Sequence, residues 1–238
     1  AGGLPMWLSI ILVIVLTVVL GVAIERVAYK PLRSSPRMSV MISAIGVSYL
    51  LQNCALYFTG GLPRSYPAIP FLSKQITIWG ATTKMVTLIT PILTLVLVLA
   101  LVFLINHTKI GMAMRAVAKD FETSQLMGIK INSVISFTFV IGCFLAAIGS
   151  LLYFSNYTTV VPTSGAMPGL KAFVAAVFGG IGSIPGAMIG GILLGVIENL
   201  SKAYISTQLS DAIVFGVLII VLLVKPTGIL GKAMREKV

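Results

Sequence analysis

The chain carries few side chains able to do covalent chemistry, and their positions narrow the choice further. His107 is its single histidine and stands at the edge of an apolar run, so no histidine-based metal site or hydrolytic triad can be assembled within one chain. The six carboxylates, Glu25, Asp120, Glu122, Glu198, Asp211 and Glu236, fall near the ends of apolar runs or between them. Acids in mid-span mark proton and ion relays. None is placed that way here, which weighs against a proton-coupled transporter. Cys54 and Cys143 each lie inside an apolar run, as membrane-buried thiols do, rather than at disulfide or metal-ligand spacing. No Gly-x-x-x-x-Gly-Lys-Ser/Thr occurs, so ATP is not held here by a phosphate-cradling loop. The expectation is a chain with no cofactor and no covalent reaction of its own.

Two other patterns are physically specific. Within residues 178–195, Gly182, Gly186 and Gly190 stand four apart, and Gly191 stands four before Gly195. On a helix this spacing makes a smooth groove where a neighbour packs closely. In a sharper reading, Pro185 breaks the chain into two half-spans around a cytoplasmic turn, as in broken helices that line substrate paths. The two readings are compatible. The second pattern lies in the connection 107–130, where Asp120 suits a helix N-cap, Glu122 the first turn and Gly128 the left-handed residue that ends a helix. About two turns fit between them. A helix that short, presenting Phe121, Leu126 and Met127, has no core of its own and needs either a partner surface or lipid headgroups to cover it.

Polar side chains inside apolar runs are the remaining pathway candidates: Ser43, Ser48, Gln52 and Asn53 in one, Ser136 and Thr138 in another. Solute contact and interhelical hydrogen bonding both suit them. Glu198 lies four residues before Lys202, the favourable order for a helical ion pair, and is open to a structural or a pathway role.

The elements that hold these residues are read from hydropathy. Of 238 residues 58% are hydrophobic and 10% charged, with a mean hydropathy of +1.06; an average soluble domain is about a quarter charged. Spanning helices need about 20 apolar residues. Runs at 6–28, 38–58, 85–106, 131–154, 170–184, 187–200 and 212–224 are the candidates, the fifth and sixth short for a full span. They predict an all-α, polytopic bundle of about seven spanning or half-spanning segments, with residues 1–238 as a single membrane domain.

The net charge of +11 does not point to nucleic acid, because the basic residues cluster in short connections without interleaved aromatics. Short basic loops stay cytoplasmic. Arg26, Lys30, Arg33 and Arg37, then Lys109, Arg115, Lys119 and Lys130, then Lys225, Lys232, Arg235 and Lys237 make twelve on one side. Arg64, Lys74, Lys84, Lys171 and Lys202 make five on the other. This bias predicts a cytoplasmic 109–130 and C-terminus, with Ala1 and the connection 59–84 outside. Pro31 and Pro36 interrupt the first basic loop. Pro63, Pro67 and Pro70 fill the external connection, which is amphipathic enough to lie on the membrane surface, and Pro162 and Pro168 bracket a second external loop.

Several long runs resemble one family: Ile24-Glu-Arg-Val-Ala-Tyr-Lys-Pro-Leu-Arg33, Gly111-Met-Ala-Met-Arg-Ala-Val-Ala-Lys-Asp120, Leu126-Met-Gly-Ile129, Pro226-Thr-Gly-Ile-Leu-Gly231, and the stretch from Lys171 through the glycines to Gly191. The sequence resembles the permeases of branched-chain amino-acid ABC importers of the LivH type. That resemblance implies a bacterial-type inner membrane, a second related permease, two cytoplasmic ATP-binding subunits and an external solute-binding protein. It also implies that the segment 120–128 is the element that couples to the ATPase, with Arg115, Asp120, Phe121, Glu122, Leu126, Met127 and Gly128 as its residues. The family's first hydrophobic segments, with their Asn-Phe-Ala-His-Gly-like stretch, do not occur before Met6, and Ser124 stands where Ala is common. Similar permeases carry urea or short amides, so these solutes are alternatives. A passive channel with the glycine-rich segment as pore loop, or a membrane scaffold without transport, would be rivals of another class.

Overall fold

The computed structural model describes residues 5–33, 35, 37–67, 69, 73–78, 81–180, 182–225 and 227–231. Ala1, Pro36, Pro70, Ile181, Pro226 and the tail residues Lys232, Arg235, Glu236 and Lys237 lie outside this set. Contacts group the chain into two compact units, 1–163 and 164–238.

The first unit holds four of the long apolar helices. Helix α1 (Met6–Ile24) runs directly into a π-helical turn (Glu25–Tyr29), giving a 24-residue apolar stretch. Helices α2 (Arg37–Thr59), α3 (Met85–His107) and α6 (Ile131–Asn156) are also long enough to cross a bilayer. Their limits follow the expected runs to within a few residues, because uninterrupted apolar sequence of this length satisfies its backbone only as helix in lipid. Helix α1 lies along α6 and approaches it tightly at Gly21, where a Cβ would collide with the Cys143 sulfur. Cys143 is therefore a packing residue, and both cysteines are free thiols. Most apolar surface on these helices is exposed, including Trp7, Ile11, Tyr57 and Phe103. That suits helices bathed in lipid tails, where exposed apolar side chains carry no penalty.

Between α2 and α3 the connection expected to lie on the membrane surface is built of strands. β1 (Arg64–Ser65) pairs antiparallel with β4 (Thr159–Val160), and β2 (Gln75–Ile78) forms a hairpin with β3 (Ala81–Lys84) in the register Gln75↔Lys84 to Ile78↔Ala81. The β-branched run Ile76-Thr77-Ile78 facing Thr82-Thr83 favours pleated structure, and prolines on either side of Arg64 forbid a continuing helix.

The long basic connection contains two helices, not one. Helix α4 (Lys109–Lys119) was not expected, although Thr108 is a good N-cap: its hydroxyl accepts from the Gly111 amide at 3.1 Å. It packs on α3 and α6, and helix α5 (Phe121–Leu126) follows after Asp120.

The described residues of the second unit form three helices around a small core of Val174, Phe178, Leu194 and Val214. They are α7 (Ala166–Gly179), α8 (Ile184–Tyr204) and α9 (Ser210–Val224). Three expectations are corrected here. Helix α8 has 21 residues and is long enough to span, not a half-span starting at 187. Pro185 does not break a helix; it sits in the first turn of α8, where its missing N–H costs nothing, behind the N-cap Ser183, whose hydroxyl accepts from Gly186 N at 3.1 Å. The reversal between α7 and α8 is made by Gly180 and Gly182, at φ 110° and 90°. Pro168 likewise lies in the first turn of α7 and not in a loop.

Candidate functional site

A six-residue helix has little intrinsic stability, and α5 is held by caps at both ends. Asp120 has extended backbone at φ −150°, and one carboxylate oxygen accepts from the Thr123 amide at 3.0 Å while the other accepts from the Thr123 hydroxyl at 2.5 Å. The hydroxyl bond first, then the amide bond, holds this carboxyl below its usual range, since both favour the charged form. At the other end Gly128 takes φ 80°, its amide bonds Gln125 O at 3.0 Å, and the Ile129 amide bonds Ser124 O at 3.1 Å. This paired closure satisfies the last carbonyls of the helix and requires a left-handed residue. Ser124 adds a tie that alanine lacks: it is buried, and its hydroxyl donates to Asp120 O at 2.6 Å.

Rigidly closed in this way, α5 shows its apolar side chains to the outside. Leu126 is 87% exposed and Met127 79%, with Phe121 and Glu122 also exposed. Arg115 is not part of this knob; it projects from α4 with a guanidinium nitrogen 3.4 Å from Asn106 O at the end of α3.

Next to α5 lies a cluster that the sequence did not reveal. Glu25, in the π-helical turn, is 1% exposed, and its carboxylate is ion-paired with Arg33, eight residues on. Arg33 also donates to Asn132 Oδ1, and Ser136 donates to the second oxygen of Glu25 at 3.0 Å. The tie therefore joins the end of α1 to the first two turns of α6. Nothing in the sequence marks Glu25 as buried: its neighbours Arg26 and Lys30 read as a solvated basic loop, and its partner on α6, Ser136, is 111 residues away.

In the second unit the glycine groove is real but shorter than the spacing suggests. A Cβ on Gly186 would strike Gly179 O, and one on Gly190 would come to 2.5 Å of Ala175 O, so α8 and α7 meet backbone to backbone. Gly182 belongs to the turn and has no place in the groove. A Cβ on Gly191 would meet only Ala175 at an ordinary 3.9 Å, and one on Gly195 would meet nothing. Glu198 pairs with Lys202 at 2.5 Å, as the spacing predicts, and also with Lys171 at 2.8 Å, which in turn reaches Asp211 at 2.7 Å. One ionic chain thus links α7, α8 and α9.

The polar residues of α2 bond within their own helix: Gln52 donates to Ser48 Oγ at 3.2 Å and Asn53 to Tyr49 O at 2.8 Å. Ser48 and Asn53 are exposed. Among the described residues no three metal-ligating side chains come together.

The sequence that forms these helices matches a family model. The model for the permease component of branched-chain amino acid transport systems matches residues 1–222. The chain belongs to this family. The high-affinity branched-chain amino acid transport permease LivH of Salmonella typhimurium is 46% identical over 224 residues, which is 92% of this chain and 72% of that protein. BraD of Pseudomonas aeruginosa, named for the same kind of system, is 41% identical over 228 residues, covering 94% and 74%. A probable LivH of Methanocaldococcus jannaschii is 26% identical over 243 residues, covering 96% and 76%. No solved structure matches the chain. As a member of this permease family the chain is an inner-membrane transport subunit and not an enzyme, and membership implies an ATPase and a solute-binding protein as partners.

Proposed function

We propose that this chain forms the translocation pathway of an ATP-driven importer of leucine, isoleucine, valine or related amino acids, with residues 1–238 acting as one permease domain. In this reading the domain pairs with a second related permease and alternates its pathway between outward and inward openings. Two cytoplasmic ATPase subunits drive it, and an external binding protein delivers the solute. The observation that carries the coupling part is α5: a knob closed at both ends by its own caps, yet leaving Leu126 and Met127 uncovered. A stiff helix with an apolar tip transmits force only if something covers the tip, and a groove on the ATPase is the surface that ATP would move. The groove between α7 and α8 keeps the second unit's helices together while the pathway opens.

The solute is tested by uptake in a strain lacking this permease, complemented with the chain and offered labelled leucine, isoleucine, valine, urea and acetamide. Competition among the three branched amino acids, with urea and acetamide inert, is the expected result; transport of urea or amide alone would overturn the solute assignment. Sidedness is tested separately by single-cysteine labelling in intact cells: an Asp120→Cys variant with Cys54 and Cys143 replaced by serine should resist an impermeant thiol reagent added outside. Ready labelling there would reverse the orientation.

A further inference from the structure

The buried cluster beside α5 has a placement that its contribution to stability does not explain. A buried ion pair gives little stability over a well-packed apolar pair, because desolvation offsets the attraction. Its physical effect is to fix one arrangement of the elements that supply it. Here those elements are the π-helical turn at the end of α1, closed by the Lys30 amide on Glu25 O at 2.8 Å, and the start of α6. A π-helical turn interrupts the regular helical ladder and is a natural place for a helix to bend.

Geometry connects this joint to α5. Only residues 127–130 separate α5 from α6, Ile131 is buried at the entry, and Asn132 is the second residue of α6. Asn132 holds Arg33, and Ser136, about one turn further, holds Glu25. Any tilt imposed on the first turns of α6 is therefore felt at the Glu25–Arg33 pair before it reaches the apolar contacts between α1 and α6. A cleft of about 750 Å³ lies alongside, walled by Phe121 and Gln125 of α5 and by Arg33 and Asn132. It leaves α5 room to move without first unpacking a core.

We propose that Glu25 and Arg33, held by Asn132 and Ser136, are positioning residues that pass the displacement of α5 into α1, so that hydrolysis on the partner ATPase becomes movement of the spans. This rests on the reading of α5 as the coupling element.

The test uses the complete transporter, with its ATPase and binding protein, in liposomes, and reads labelled leucine carried per ATP hydrolysed. Glu25→Gln and Arg33→Met should lower that ratio about tenfold while hydrolysis continues, since each leaves its partner buried without a counter-charge. Ser136→Ala, which removes a single bond, should lower it about threefold. The exchange Glu25→Arg with Arg33→Glu should restore much of the ratio, because a serine hydroxyl and an asparagine amide can each donate or accept. A merely structural pair would instead reduce assembly and leave the ratio unchanged. Gly128→Val serves as the reference and should lower uptake and hydrolysis together. If it does so while the cluster variants keep the wild-type ratio, the proposal is overturned and the coupling reading stands. If Gly128→Val, Asp120→Ala and Glu122→Lys are all silent as well, the coupling reading fails and the proposal falls with it. Should the charge variants not assemble, an assembled Ser136→Ala with an unchanged ratio is enough to reject the role.

Discussion

Helix α5 and the α7–α8 groove are both short-range devices made from glycines and caps, but they differ in where their partners lie. Every bond that shapes α5 runs between residues 120 and 129. The groove is made by residues of one helix against the backbone of another, with Gly190 set on Ala175 and Gly186 on Gly179. The first is a rigid feature with an open surface, suited to being gripped; the second is a closed surface, suited to holding. Local hydrogen bonding can specify a knob completely, whereas a packing groove depends on where the helices begin and which way they face.

The largest effect is expected in the groove. Gly190→Leu should cost about 1–3 kcal/mol or more, because the side chain would have to displace backbone. A lower melting temperature of the solubilised protein and a low yield in the membrane are the readouts. Gly195→Leu should stay within about 0.5 kcal/mol, since nothing lies where its side chain would go. Equal damage at both positions would favour the longer stripe drawn by spacing alone.

The α5 variants should be milder for the fold and more specific for function. Gly128→Val forces a β-branched residue into a left-handed turn, at a cost of about 1–2 kcal/mol, and should raise hydrogen exchange across 121–129 while the membrane helices keep their protection. Unchanged exchange there would mean that the left-handed turn is not what closes the helix.

The smallest effect concerns acid. Because Asp120 is held below the ordinary carboxylate range in the folded protein, its cap stabilises α5 above the unfolded value of about 3.9 and is lost as pH falls through the depressed folded value. Exchange of the Thr123 amide, corrected for its intrinsic rate, should stay slow at neutral pH and rise on acidification. Asp120→Asn should retain a cap and lose this pH dependence. A pH response that persists in Asp120→Asn would assign it to another group.

Much of this molecule was legible in its sequence. The four long runs of the first unit were plain because lipid leaves helix as their only outlet, and Asp120 and Gly128 were plain because caps work within a few residues of themselves. Hydropathy alone sets the start of α8 too late because Pro185 resembles a breaker, whereas behind a serine N-cap it is a starter. The groove was overdrawn for the same reason: with α8 beginning at Ile184, Gly182 falls in a turn and Gly195 points away from α7. The strands at 64–84 were hidden in a proline-rich connection, and β1 finds its partner almost a hundred residues later. The Glu25 cluster was least legible, since burial of a charge depends on which helix lies beside it.

The most direct measurement of the central claim is solute uptake together with solute-stimulated ATP hydrolysis in the reconstituted transporter carrying Asp120→Ala, Glu122→Lys or Gly128→Val. The first removes the cap, the second puts a cation at the positive end of the helix, and the third opens its C-terminal turn. None touches the membrane spans, so all three should insert and assemble while uptake and stimulated hydrolysis fall together. Wild-type levels of both activities in all three variants would show that α5 is not the element that couples this permease to its ATPase.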